Sequence, residues 1–94
     1  MANILVHHKV EDYNKWKPFF DQHSTFRTQN GSKGEKVFRS SNNPNEIFIL
    51  FEWDSIANAQ KFAQSDNLKE VMQKAGVKGM PEFHFIEEVF SVKS

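Results

Sequence analysis

The sequence predicts one α+β domain, a single antiparallel sheet with its helices on one side. Three observations carry this. Apolar residues recur at alternate positions in four segments and at three- and four-residue spacings in two others, in the order strand, helix, strand, strand, helix, strand. A dense turn signal, Ser41-Asn42-Asn43-Pro44-Asn45, separates the second and third strands and makes them a hairpin. The third strand, Glu46–Trp53, is apolar on both faces, with Ile47, Ile49, Phe51 and Trp53 pointing one way and Phe48 and Leu50 the other. A sheet covered on one face alone would alternate apolar with polar.

Each element has its own local cause. The first strand is Asn3–Lys9. Asp12 is the expected N-cap of the first helix, in which Tyr13, Trp16, Phe19, Phe20, His23, Phe26 and Arg27 form one broad face. Pro18 cannot donate to the carbonyl of Asn14, so a kink or a tightened first turn is expected there. Asn30–Gly31 closes this helix, with Gly31 suited to a left-handed position. Lys33–Ser40 is a more polar strand, expected at an edge. Asp54 or Ser55 caps the second helix, whose inner face carries Ile56, Ala59, Phe62 and Ala63. Ser65-Asp66-Asn67 interrupts the pattern, and Leu68, Val71, Met72 and Ala75 resume it. Gly76, Gly79 and Pro81 end the helical part, and Glu82–Val92 is the last strand. The order is the split β-α-β of ferredoxin-like domains, with strands one and three in the middle of the sheet.

The 94 residues make one domain, 1–94. Ten Phe and two Trp are a heavy load for it, since each aromatic side chain buries roughly 150–250 Å². Two short helices cover one sheet face, so the expected cover for the other is an identical copy, giving a homodimeric α+β barrel. Twelve basic and twelve acidic residues cancel, which argues against nucleic acid as a partner. There is no cysteine, hence no disulfide and no thiolate chemistry. No segment approaches the roughly 20 apolar residues that span a bilayer, and a soluble cytoplasmic protein with no membrane partner is expected.

The run Asn43-Pro44-Asn45-Glu46, followed by Phe48, Glu52, Ile56, Ala59 and Ser65, resembles the antibiotic-biosynthesis monooxygenase-like family of dimeric α+β barrels. The signature Asp12-Tyr13-x-x-Trp16-Lys17-x-x-Phe20-Asp21-x-His23 looks like a small bacterial subgroup of it. The resemblance implies a homodimer whose sheets face each other, and in each subunit a pocket between sheet and helices for a small hydrophobic or aromatic ligand. Many relatives carry a His in the middle of the second helix and another where it breaks, where this chain has Phe62 and Asn67. The haem-degrading branch ligates iron through a histidine on that helix, and Ser55–Ala75 contains none. Haem is therefore not expected, and no cofactor is. The cofactor-free oxygenase branch uses a cluster of Asn, Trp and Tyr; Asn3 and Trp53 match in type, while the sole tyrosine, Tyr13, opens the first helix.

The candidate site residues follow from side-chain type and spacing. His23 and Arg27 sit one turn apart on an otherwise aromatic helix face. They read either as an acid/base and an anion-steadying group, or as a satisfied boundary histidine and an arginine placed against the helix dipole. His84 is the third catalytic candidate; it either joins His23 or meets solvent. Trp16, Phe20, Phe48, Glu52 and Trp53 are candidates for holding substrate. Glu52 reads as a base partnering His23 or as a surface pair with Arg39 or Lys36, and Trp53 as packing or a pocket wall. His7 and His8 point to opposite faces and cannot share one ion. The four histidines, with no i, i+4 pair among them, make no metal site. Gly31-Ser32-Lys33-Gly34 lacks the strand–loop–helix order of a phosphate loop. The third strand is unlike an RNA-recognition motif, and the loop after the first strand lacks an acylphosphatase arginine. Two functions stay open: a small oxygenase- or isomerase-like enzyme acting on an aromatic or enolisable molecule, and a non-catalytic ligand-binding or dimerisation module.

Overall fold

The computed structural model describes residues 2–93. Its elements are β1 (Ala2–Val10), α1 (Tyr13–Gln22), α2 (Ser24–Gln29), β2 (Ser32–Arg39), β3 (Glu46–Trp53), α3 (Ile56–Ala63), α4 (Asp66–Ala75) and β4 (Val77–Glu87). The strands form one sheet in the order β2-β3-β1-β4, with every pairing antiparallel. β1 and β3 are therefore central and β2 lies at an edge, the ferredoxin-like arrangement expected from the element order. Among the described residues, no helix is long and apolar enough to cross a membrane.

Strand alternation divides the sheet into two unlike faces. Ile4, Val6, His8 and Val10 of β1 and Ile47, Ile49, Phe51 and Trp53 of β3 are all buried beneath the helices. Trp16, Ala59, Phe62, Leu68 and Ala75 close over them from the helical layer. The other face carries Leu5, His7, Phe48, Leu50 and Ile86, and among the described residues no helix covers it. Phe38 and Ile86 remain 52% and 41% exposed there. At its centre the His7 ring stacks on Phe48, with centroids 4.4 Å apart, and meets Glu46 at 2.9 Å and Glu82 at 3.2 Å. The two-faced apolar character of β3 is thus real, and one of its faces is left open.

Both helical segments are split. The sequence predicts one helix closed by Asn30–Gly31, with its irregularity at Pro18, but it is His23 that divides it into α1 and α2, with φ −83° and ψ −2°. Pro18 lies inside α1 without ending it. The start of α1 is capped twice. Asp12 accepts from the Asn14 N–H at 2.9 Å, and Asn45, in the β2–β3 turn, accepts from the Tyr13 N–H at 2.9 Å. In the second segment Ser55 caps α3 and Ser65 caps α4, so the Ser65–Asn67 interruption is a true helix boundary.

The last strand corrects the sequence reading. It spans Val77–Glu87 rather than Glu82–Val92. Gly76, left-handed at φ 84°, ends α4, and the chain enters the sheet at once. Gly79 and Pro81 are tolerated inside β4 because it is an edge strand and is bulged there. Residues 88–93 lie beyond the sheet, with Val89, Phe90 and Val92 exposed.

Gly31 is the position where backbone freedom is required. Its φ is +115°, and a Cβ there would stand 2.5 Å from Asp54 Oδ1 and 2.8 Å from Trp53 Nε1. Gly31→Ala is expected to lower unfolding stability by about 2 kcal/mol or more, read as a lower urea midpoint at an unchanged slope.

Candidate functional site

Between the helices and the sheet lies a small, partly open cavity of about 40 Å³, lined by Trp16, Phe20, His23 and Arg27 from the first helical segment and by His8, Phe51 and others from the sheet. Leu68, Val71 and Met72 of α4, with Phe62 of α3 and Phe83 of β4, complete the wall. Three polar side chains thus face an otherwise apolar, strongly aromatic space.

Arg27 is 3% exposed and is held on two sides. Its Nη1 donates to the Phe20 carbonyl at 2.8 Å and its Nη2 to Glu35 Oε1 at 2.9 Å. The guanidinium carbon lies 3.9 Å from the centroid of the Phe20 ring, a cation–π contact. Glu35 sits opposite Phe51 on the helix side of β2. The charge expected to await a ligand carboxylate or enolate is therefore already balanced, although Nε has no hydrogen-bond partner.

His23 stacks on Phe26, with centroids 4.8 Å apart. Its Nε2 lies 2.6 Å from Asn67 Oδ1. With that oxygen as acceptor, Nε2 carries the proton and Nδ1 is the ring's acceptor. Burial lowers the pKa of His23, the Asn67 hydrogen bond opposes this, and the nearby Arg27 charge lowers it further. The imidazole is thus biased toward its neutral form, the form able to take a proton.

His8 is the residue that sequence reasoning missed as a site group. It is 5% exposed, packs edge-to-face on Trp16, and neither ring nitrogen has a hydrogen-bond partner in the protein. Burial pushes its pKa down to about 4, with the charge of neighbouring His7 acting the same way. Alternation groups His8 with Ile4, Val6 and Val10 on a central strand, and the structure places that set beneath the helices.

The remaining candidates divide by face. Trp16 and Phe20 line the cavity with His23 and Arg27. Trp53 is fully buried packing, and its Nε1 donates to the Asn30 carbonyl at 2.9 Å. Phe48, Glu52 and His84 lie on the open side of the sheet, because their register partners His7, Asn3 and Leu5 do. The expectations that Glu52 or His84 partners His23 are therefore corrected, since the sheet itself stands between them. Glu52 lines a separate open depression of about 540 Å³ with Asn3, Lys36, Leu50 and Glu88. Arg39, one of the partners proposed for Glu52, instead lies 4.4 Å over the Tyr13 ring. His84 is half exposed and meets Glu82 at 3.5 Å. No group of three or more metal-ligating side chains occurs among the described residues.

Two stability predictions follow from these burials. Unfolded His8 takes up its proton near pH 6.5, and folded His8 only near pH 4. Between those values the unfolded chain binds more protons, so stability held above about pH 6.5 is lost as pH falls toward 4, in total about 3 kcal/mol. His8→Phe should flatten that part of the pH–stability curve, measured by urea unfolding in buffers from pH 7.5 to 4. Glu35→Ala leaves the Arg27 charge buried without its partner and should cost about 2–3 kcal/mol, read in the same assay at pH 7.5.

No family model matches the chain, and no curated protein does. Solved structures match over nearly all of it. A protein named for antibiotic biosynthesis monooxygenases, from Bordetella bronchiseptica, aligns with TM-score 0.78 and 17% identity, over 95% of this chain and 97% of that one. SnoaB, a cofactor-independent oxygenase from Streptomyces nogalater, aligns with TM-score 0.78 and 9% identity, over 99% and 97%. A further protein of the first type, from Caulobacter crescentus, aligns with TM-score 0.74 and 15% identity, over 95% and 90%. The chain thus has the ferredoxin-like fold of the antibiotic-biosynthesis monooxygenase-like structures, as its sequence resemblance implies.

Proposed function

We propose that this protein is a homodimeric, cofactor-independent enzyme of oxygenase or isomerase type, holding an aromatic or enolisable small molecule between its helices and its sheet. The observation that carries this reading is the meeting of His8, His23 and Arg27 at one buried, aromatic-walled cavity. A neutral His23 accepts a proton from an acidic C–H or O–H of the substrate, and the unpartnered Nε of Arg27 steadies the negative charge that develops. Reprotonation at another carbon gives an isomerase. Transfer of the freed electrons to dioxygen gives an oxygenase, which places one oxygen atom in the product and releases the other as water. Likeness in fold to a cofactor-independent oxygenase supports the second outcome. Trp16 and Phe20 supply the aromatic wall. The homodimer rests on the uncovered face bearing Leu5, Phe48 and Leu50, and a cytoplasmic setting suits a chain without cysteine.

One observation favours the other reading, a non-catalytic binding or dimerisation module. The cavity holds about 40 Å³, far below the roughly 300–1,000 Å³ of ordinary ligand pockets. The enzyme reading therefore requires the helical layer to part for its substrate.

A panel of hydroxyaromatic and enolisable compounds, followed by oxygen uptake and product mass, tests the chemistry. Turnover of one member with a gain of oxygen or a shifted double bond is expected, with kcat at least about tenfold lower in His23→Ala. Equal rates in the two proteins would remove His23 from the mechanism. In sedimentation, the wild type should run as a dimer and Leu50→Lys as a monomer; a monomeric wild type defeats the barrel.

A further inference from the structure

β4 is irregular at one place, and that place faces His8. Its pairing with β1 runs to Glu82 opposite His7 and resumes at Lys78 opposite Lys9, so Gly79, Met80 and Pro81 all stand against His8. Gly79 adopts φ 67°, and Pro81 has no N–H to donate to the ladder. Bulges of this kind are concentrated beside functional sites. The bulge forms one side of an outer groove of about 390 Å³, whose other side is made by Ala63 and Met72 of the helices. That volume falls within the usual range for ligand pockets. Met72 and Phe83 border both this groove and the inner cavity that contains His8, and a methionine thioether changes shape readily.

We infer that the bulged stretch of β4 is the access route to the site, and that His8 anchors the innermost end of a ligand with an apolar body and a single hydroxyl at its tip, an alkylphenol in class. This rests on the reading of the helix–sheet space as a ligand chamber. The body lies in the outer groove against Met80, Pro81 and Phe83, while the tip passes Met72 into the inner cavity. Leaving both nitrogens of a buried imidazole without partners is costly. A neutral imidazole offers one donor and one acceptor, and so does a hydroxyl, which also reproduces what a water in that space would provide. A carboxylate tip fits poorly, because it would enter an apolar space whose one cation is already bonded to Glu35.

The test compares 4-butylphenol with butylbenzene, which differ by one hydroxyl, on the intact protein by calorimetric titration and by the ring ¹⁵N resonances of His8. The wild type should bind the phenol about tenfold more tightly than the hydrocarbon, with the His8 nitrogens shifting on saturation. His8→Phe should erase that preference, and Ala63→Trp, which fills the groove, should weaken both ligands about tenfold. The Ala63 variant and the wild-type ¹⁵N shifts decide the matter even if His8→Phe folds poorly. A wild type without preference, still His8 resonances, or full affinity in Ala63→Trp overturns the proposal. If the preference survives in His8→Phe but is lost in His23→Ala, the chamber stands and this route and anchor fail. If neither ligand binds, both fail together.

Discussion

The helical layer is held to the sheet by a buried guanidinium. Arg27 reaches back to the Phe20 carbonyl at the end of α1, forward to Glu35 on β2, and lies flat on the Phe20 ring. A charge so deeply placed is tolerable only while all of these contacts are kept. That requirement ties the end of α1 to the edge strand β2. Trp16, Phe20 and His23 border one space with Arg27, whose Nε has no hydrogen-bond partner.

Much of the architecture could be read from the chain. Alternation in EIFILFEW identified a central strand, the Asn-rich run identified the hairpin, and Ser65-Asp66-Asn67 identified a helix boundary. What could not be read was which sheet face the helices cover. Alternation sorts residues into two sets without saying which set is inside. Glu52 and Phe48 therefore read as members of a covered set, and His84 fits pocket or solvent alike. His8 shares its set with Val6 and Val10, and only the structure puts that set inside. The Arg27–Glu35 bond joins residues only eight apart in sequence, yet it depends on the helix-to-strand turn at Gly31 and on no local pattern. Gly79 and Pro81 look like the close of a helix in one dimension, whereas in three they belong to an irregular edge strand.

The sheet presents two quite different environments a few ångströms apart. Beneath the helices, His8 and His23 are desolvated and biased toward the neutral state. On the open side, His7 lies between two carboxylates and stacks on a phenyl ring. Adjacent residues of one strand thus serve opposite electrostatic settings, one buried under the helices and one on the open face of the sheet.

The Asn45 side chain, which closes the first turn of α1 from across the hairpin, spans 32 residues to do so. The Asn45 carbonyl also accepts from the Val10 N–H at 2.8 Å, so one turn residue ties together the end of the first strand and the beginning of the helix that follows it. The opening of α1 is consequently not a local affair. The Tyr13 amide proton is shielded only once two distant stretches of chain have met, and loosening that loop would be felt there and at the Val10 N–H together.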